Sequence, residues 1–186
     1  MNTRLSPHFT LAEMIKTSTG LPNNPGAQQI AELGRLATTL LEPVRALLGV
    51  RMHVNSGYRS PAVNDAVQGS RTSQHMAGQA CDFVPVGMSV MGAFERLVAN
   101  HHRLPFRQLI VYPDRGFIHI SIARNAADEK HEALVNIGGN YQPYPLPDAP
   151  PPPAAQAKSS GSAWWKWGLG IAGAFGLGAL IWRAAR

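Results

Sequence analysis

The chain has a single cysteine, Cys81, among its 186 residues, so no internal disulfide can form. It has no cluster of Lys and Arg interleaved with aromatics, and this argues against nucleic-acid binding. Acidic residues are the scarcer charge, 11 against 17 basic. The excess is spread thinly, with 13 basic against 10 acidic side chains up to residue 140 and 4 against 1 beyond it. Such a mild basic balance suits the anionic surface of a cell wall or membrane. Residues 1–20 lack the basic start and apolar run of a secretory signal, so export by that route is not expected.

What is present divides the chain in three. Hydrophobic content of 45% is enough for one packed core, but Gly and Pro crowd the last quarter, so residues 1–140 are expected to form the globular domain. Prolines at 143, 145, 147 and 150–153, followed by Ala and Ser, make 141–162 an extended linker. Segment 163–183 then reads as a transmembrane helix. From 163 to 182 only Lys166 is charged, and those 20 residues, at about 1.5 Å each, match a hydrocarbon core roughly 30 Å thick. Trp164, Trp165 and Trp167 at one end and Trp182 at the other suit the two interfaces. Gly170, Ala174 and Gly178, at intervals of four, would allow close pairing of such helices, hence self-association.

Within the globular part, Thr10-Leu11-Ala12-Glu13 is a capping box that opens a short helix running to about Lys16. Ile30, Leu33, Leu36, Leu40, Leu41, Val44, Leu47 and Leu48 follow at spacings of three and four, a core-facing stripe that Pro43 should bend or divide. Arg51 to Asn55 alternates as a strand, which turns His53 away from Met52 and Val54. Ser60-Pro61 is a helix start and Ser89 caps another helix. Arg107 to Tyr112 and Phe117 to Ile122 are expected to form an antiparallel hairpin around Pro113-Asp114-Arg115-Gly116, and 125–140 reads as a surface tail. The expected class is α+β: a small antiparallel sheet with helices packed on one side, plus the C-terminal transmembrane helix.

Chemistry concentrates at three side chains. His75 lies on a loop flanked by Gly69 and Gly78. Alternation sets Asp82 opposite Cys81 and Phe83, and sets His119 opposite the three isoleucines of Phe117-Ile118-His119-Ile120-Ser121-Ile122. Two imidazoles and a carboxylate are the ligand types of a zinc ion that keeps a fourth position open for water. On residue types alone, a strand histidine is more often partly buried or solvated, and an Asp at a strand start more often caps a turn.

The string Val54-Asn55-Ser56-Gly57-Tyr58-Arg59-Ser60-Pro61-Ala62-Val63-Asn64 is followed by Ser70-x-x-Ser73-x-His75-x-x-Gly78-x-Ala80-x-Asp82, and then by aromatic-Ile-His119-Ile-Ser. Together these resemble the zinc D-alanyl-D-alanine carboxypeptidase and L,D-endopeptidase family of peptidoglycan peptidases, which includes phage endolysins. The resemblance covers about residues 8 to 125. It implies His75, Asp82 and His119 as ligands of Zn2+, Arg59 as the holder of substrate carboxylate or transition-state charge, and peptidoglycan stem or cross-link peptides as substrate. The family's catalytic acid is missing from both of its places, since Gly116 stands three residues before His119 and Tyr112 follows Gln108-Leu109-Ile110-Val111. Asp114 is the acid nearest in sequence, a candidate base or an ordinary turn residue. The expectation is therefore a zinc peptidase anchored in a virion or bacterial membrane and facing the cell wall, acting at phage entry or host lysis. The alternatives are a wall-binding module of little or no activity and a membrane-anchored structural virion protein.

Overall fold

The computed structural model describes residues 3–147, and the helix expected at 163–183 and most of the linker lie outside them. Among the described residues no helix is long and apolar enough to cross a membrane. The helices are α1 (Leu11–Met14), α2 (Ala27–Leu36), α3 (Glu42–Leu48), α4 (Pro61–Ala66) and α5 (Val90–Ala99). The strands are β1 (Met52–Ser56), β2 (Ala80–Pro85), β3 (Phe106–Tyr112), β4 (Phe117–Ile122), β5 (Glu132–Ile137) and β6 (Asn140–Pro143). They form one sheet in the order β1-β2-β4-β3-β5-β6.

The α+β class holds, with two corrections to the expected sheet. It is larger, because the segment 125–140, expected as a surface tail, supplies the strand Glu132–Ile137 and the start of a further strand, Asn140–Pro143. It is also not wholly antiparallel, because β5 runs parallel to β3, Gln108 beside Glu132 and Val111 beside Val135. The cause is legible afterwards. Gly138 and Gly139 take φ of +56° and +88°, left-handed values that a two-residue hairpin turn demands at both positions and that glycine adopts without a steric penalty. That turn folds β6 back on β5.

Period two sorts the sheet's side chains into two faces. Met52, Val54, Cys81, Phe83, Leu109, Val111, Ile118 and Ile120 lie in the core with Leu33, Leu36, Leu40, Leu41, Val44, Phe94 and Leu97 of the helices. Cys81 is fully buried there, as a small apolar residue. The opposite face carries Asp82, Gln108, Ile110, Tyr112, Phe117 and His119, which line an open cleft.

Pro43 has its effect upstream of itself. Residues Ala37–Leu41 form a π turn between α2 and α3, and the Glu42 amide donates five residues back to the Ala37 carbonyl. Proline has no N–H to donate, and its ring collides with the carbonyl four residues before it, so a widened turn accommodates it while the leucine stripe stays in the core. Gly49, in left-handed conformation at φ +70°, ends α3. The capping box at Thr10 is formed, and α1 stops at Met14 rather than Lys16.

Candidate metal centre

Three neighbouring strands bring the centre together. Asp82 of β2 pairs with His119 of β4 on one side and with Ser56 of β1 on the other, after an irregularity between Val54 and Ser56. His75 comes from a 3-10 turn, Gln74–Ala77, which ends at Gly78 with φ +75°. A side chain at Gly78 would also sit 2.7 Å from the Gln29 carbonyl of α2, so this turn packs on the helix only because residue 78 is glycine.

The His75 ring is fixed from behind. Its Nδ1 lies 2.6 Å from the Gly57 carbonyl, which can only accept, so Nδ1 carries the proton and Nε2 presents a lone pair to the cleft. His75 Nε2 stands 3.2 Å from Asp82 Oδ1 and 3.2 Å from His119 Nδ1, and His119 Nδ1 stands 2.8 Å from Asp82 Oδ1. Donors bonded at zinc's usual 2.0–2.2 Å in a tetrahedron stand about 3.3–3.6 Å apart. The observed triangle is that size with a slight contraction, so two imidazole nitrogens and one carboxylate oxygen fit a single divalent ion.

Electrostatics favour the ligand forms. Burial depresses the His75 pKa, which keeps the imidazole neutral and its lone pair available. Burial alone would raise the Asp82 carboxyl, but its close approach to His75 and His119 outweighs this and holds the group well below the usual carboxylate range. Arg59 closes the far side. Its terminal nitrogen pairs with Asp82 Oδ2 while its Nε donates to Ser56 Oγ at 2.8 Å, so Oδ1 is turned to the imidazoles. Arg59 is itself set by the start of α4. Ser60 Oγ accepts from the Val63 amide as predicted, and Asn23 ties the chain on both sides of Arg59 by donating to the Tyr58 carbonyl and accepting from the Ser60 amide.

Of the residues singled out in the sequence, the structure brings together His75, Asp82, His119 and Arg59. Asp114 stands apart: it is exposed, in the turn between β3 and β4, and its Oδ2 accepts from the Gly138 amide at 3.0 Å. It does not line the cleft, where Asp82 is the sole acidic side chain among the described residues. His53 is exposed and outside the cleft. Sequence reasoning missed the Gly57 carbonyl, Ser56 and the Tyr112 and Tyr141 side chains. Alternation along Gln108, Ile110 and Tyr112 was signal enough for Tyr112. For Tyr141 the signal lay in Gly138-Gly139, the turn that sets its strand.

No curated protein matches the chain. A family model described as Peptidase M15 matches residues 7–121, a span that holds the His75, Asp82, His119 and Arg59 constellation. The chain belongs to the M15 peptidase family.

Proposed function

We propose that the chain is a zinc-dependent peptidase that cleaves peptide bonds in the stem or cross-link peptides of peptidoglycan. One observation supports this above the rest: three donors from separate elements converge at 2.8–3.2 Å on an open cleft. Bound there by His75, Asp82 and His119, zinc supplies Lewis-acid polarisation of a carbonyl and acidification of water. The protein's own part is orientation. The Gly57 carbonyl fixes the His75 tautomer, Arg59 aims the Asp82 carboxylate, and the charge of Arg59, one guanidinium nitrogen of which has no partner at Asp82 or Ser56, steadies negative charge on substrate.

A second reading, a wall-binding module of low activity, is favoured because, among the described residues, the cleft has no carboxylate beyond Asp82, which the arginine and imidazoles already engage. Membrane anchoring through 163–183, self-association of that helix, and a role in phage entry or host lysis belong to the proposal on sequence grounds alone.

The experiment is degradation of purified cell walls by the full chain, with and without chelator, beside His75→Ala. The peptidase reading expects release of peptide amines that stops with chelator and in the variant. Walls bound but undegraded by zinc-loaded wild type would establish the binding module instead.

A further inference from the structure

Accepting the cleft as a peptidase site, we infer that the Tyr112 hydroxyl is the hydrogen-bond donor offered to a substrate carbonyl, with the Tyr141 hydroxyl as its partner from behind. The register places it. Tyr112 is opposite Phe117 and Ile110 is opposite His119, so Tyr112 and His119 are diagonal neighbours on one face of the β3–β4 pair, about 7–8 Å apart and within reach of a long aromatic side chain. Both residues line the same cleft.

The ring is held where it stands. It stacks on Phe117 with centroids 4.4 Å apart and planes inclined by 17°, and the Arg115 guanidinium lies over both rings, 5.6 Å from the first and 5.0 Å from the second. A ring so clamped pre-orients its hydroxyl, and preorganised donors stabilise the charge that develops on a carbonyl oxygen as it is attacked. The hydroxyl is 3.3 Å from that of Tyr141, a long contact to a residue 57% exposed. That contact permits an exchange: Tyr141 donates to the Tyr112 oxygen, and the Tyr112 O–H turns to substrate. Burial pushes the Tyr112 pKa up, so the phenol stays protonated at working pH. Around the triangle Asp82 is engaged by Arg59 and the imidazoles, and Ser56 by Arg59, whose remaining guanidinium nitrogen offers substrate a charge, whereas Tyr112 offers a neutral donor.

The test compares zinc-loaded full-length wild type, Tyr112→Phe and Tyr141→Phe on soluble muropeptides. Phenylalanine keeps the stack on Phe117 and removes only the O–H. The donor role expects kcat to fall about ten-fold or more in Tyr112→Phe, KM to change less than about three-fold, zinc content to stay unchanged, and Tyr141→Phe to show a smaller loss of the same kind. Muropeptide added to the zinc-free wild type should also perturb the near-ultraviolet tyrosine spectrum, and that signal should vanish in Tyr112→Phe. Wild-type kcat in Tyr112→Phe with no spectral signal overturns the donor and leaves the peptidase reading standing. A clear Tyr112 signal in a zinc-loaded wild type that hydrolyses nothing supports the donor and removes the peptidase reading.

Discussion

Gly57→Ala should weaken the metal centre without touching a ligand. A Cβ at residue 57 would lie 2.4 Å from the Met14 carbonyl oxygen and 3.0 Å from Met14 Cα, both backbone atoms. Ordinary contact between a methyl carbon and an oxygen is about 3.3 Å or more, so the end of β1 and the end of α1 must separate by roughly 0.9 Å or more. Two hydrogen bonds lie in the path of that movement. Tyr58 N–H donates to the same Met14 carbonyl at 2.7 Å, and the Gly57 carbonyl holds His75 Nδ1 at 2.6 Å. Overpacking of this kind costs about 1–3 kcal/mol of stability. Loss of the group that orients a metal-binding histidine lowers metal affinity by roughly 10–100-fold, or about 1.4–2.7 kcal/mol. The assay is competition for zinc against a chromogenic chelator, with thermal unfolding of the metal-free chain alongside. Unchanged zinc affinity in a folded Gly57→Ala chain would refute the claim that this carbonyl sets the His75 ring.

Other perturbations separate the elements. Asp114→Asn keeps an oxygen for the Gly138 amide and is expected to leave zinc content and wall hydrolysis unchanged; loss of hydrolysis at constant zinc content would return Asp114 to the chemistry. Phe94→Ala removes a fully buried ring from between α5 and the sheet and should cost about 3–5 kcal/mol in denaturant unfolding, a loss under about 1 kcal/mol contradicting its place in the core. Glu42 accepts from Ser6 Oγ and from the His8 amide. Burial raises its pKa, but these bonds and His8 outweigh it, so the folded value lies below the ordinary 4.5. A carboxylate depressed by folding adds stability above its unfolded pKa and loses it as pH falls through the folded one. Wild type should therefore exceed Glu42→Gln by on the order of 1 kcal/mol at pH 6, with the gap closing below about pH 4.5, and a gap constant to pH 3 would refute the assignment.

How much of this could be read from the chain depends on how local the cause is. The leucine stripe from Leu33 to Leu48, the caps at Thr10, Ser60 and Ser89, and the strand carrying His119 were legible because a period or a cap is written within a few residues. The three ligand candidates were legible as types and faces. Their convergence was not, because it depends on β2 lying between β1 and β4, a pairing between segments far apart in sequence. Asp114 drew attention by proximity to His119 along the chain, yet the turn at Pro113–Arg115 carries it to the β5–β6 turn and off the cleft. The last two strands escaped because Glu132–Ile137 mixes charge with apolar residues, and its place was set by parallel pairing with β3. Had Gly138-Gly139 been taken as a hairpin turn, both strands and the Tyr141 side chain would have been in view.

The central claim is that His75, Asp82 and His119 hold one ion between them, and zinc titration of the metal-free chain by calorimetry tests it most directly. Wild type should take up one equivalent per chain, with tight binding lost in each of His75→Ala, Asp82→Ala and His119→Ala while the helical circular-dichroism signal persists. An unaltered equivalent of zinc in any of these three variants, once shown to be folded, would contradict the claim.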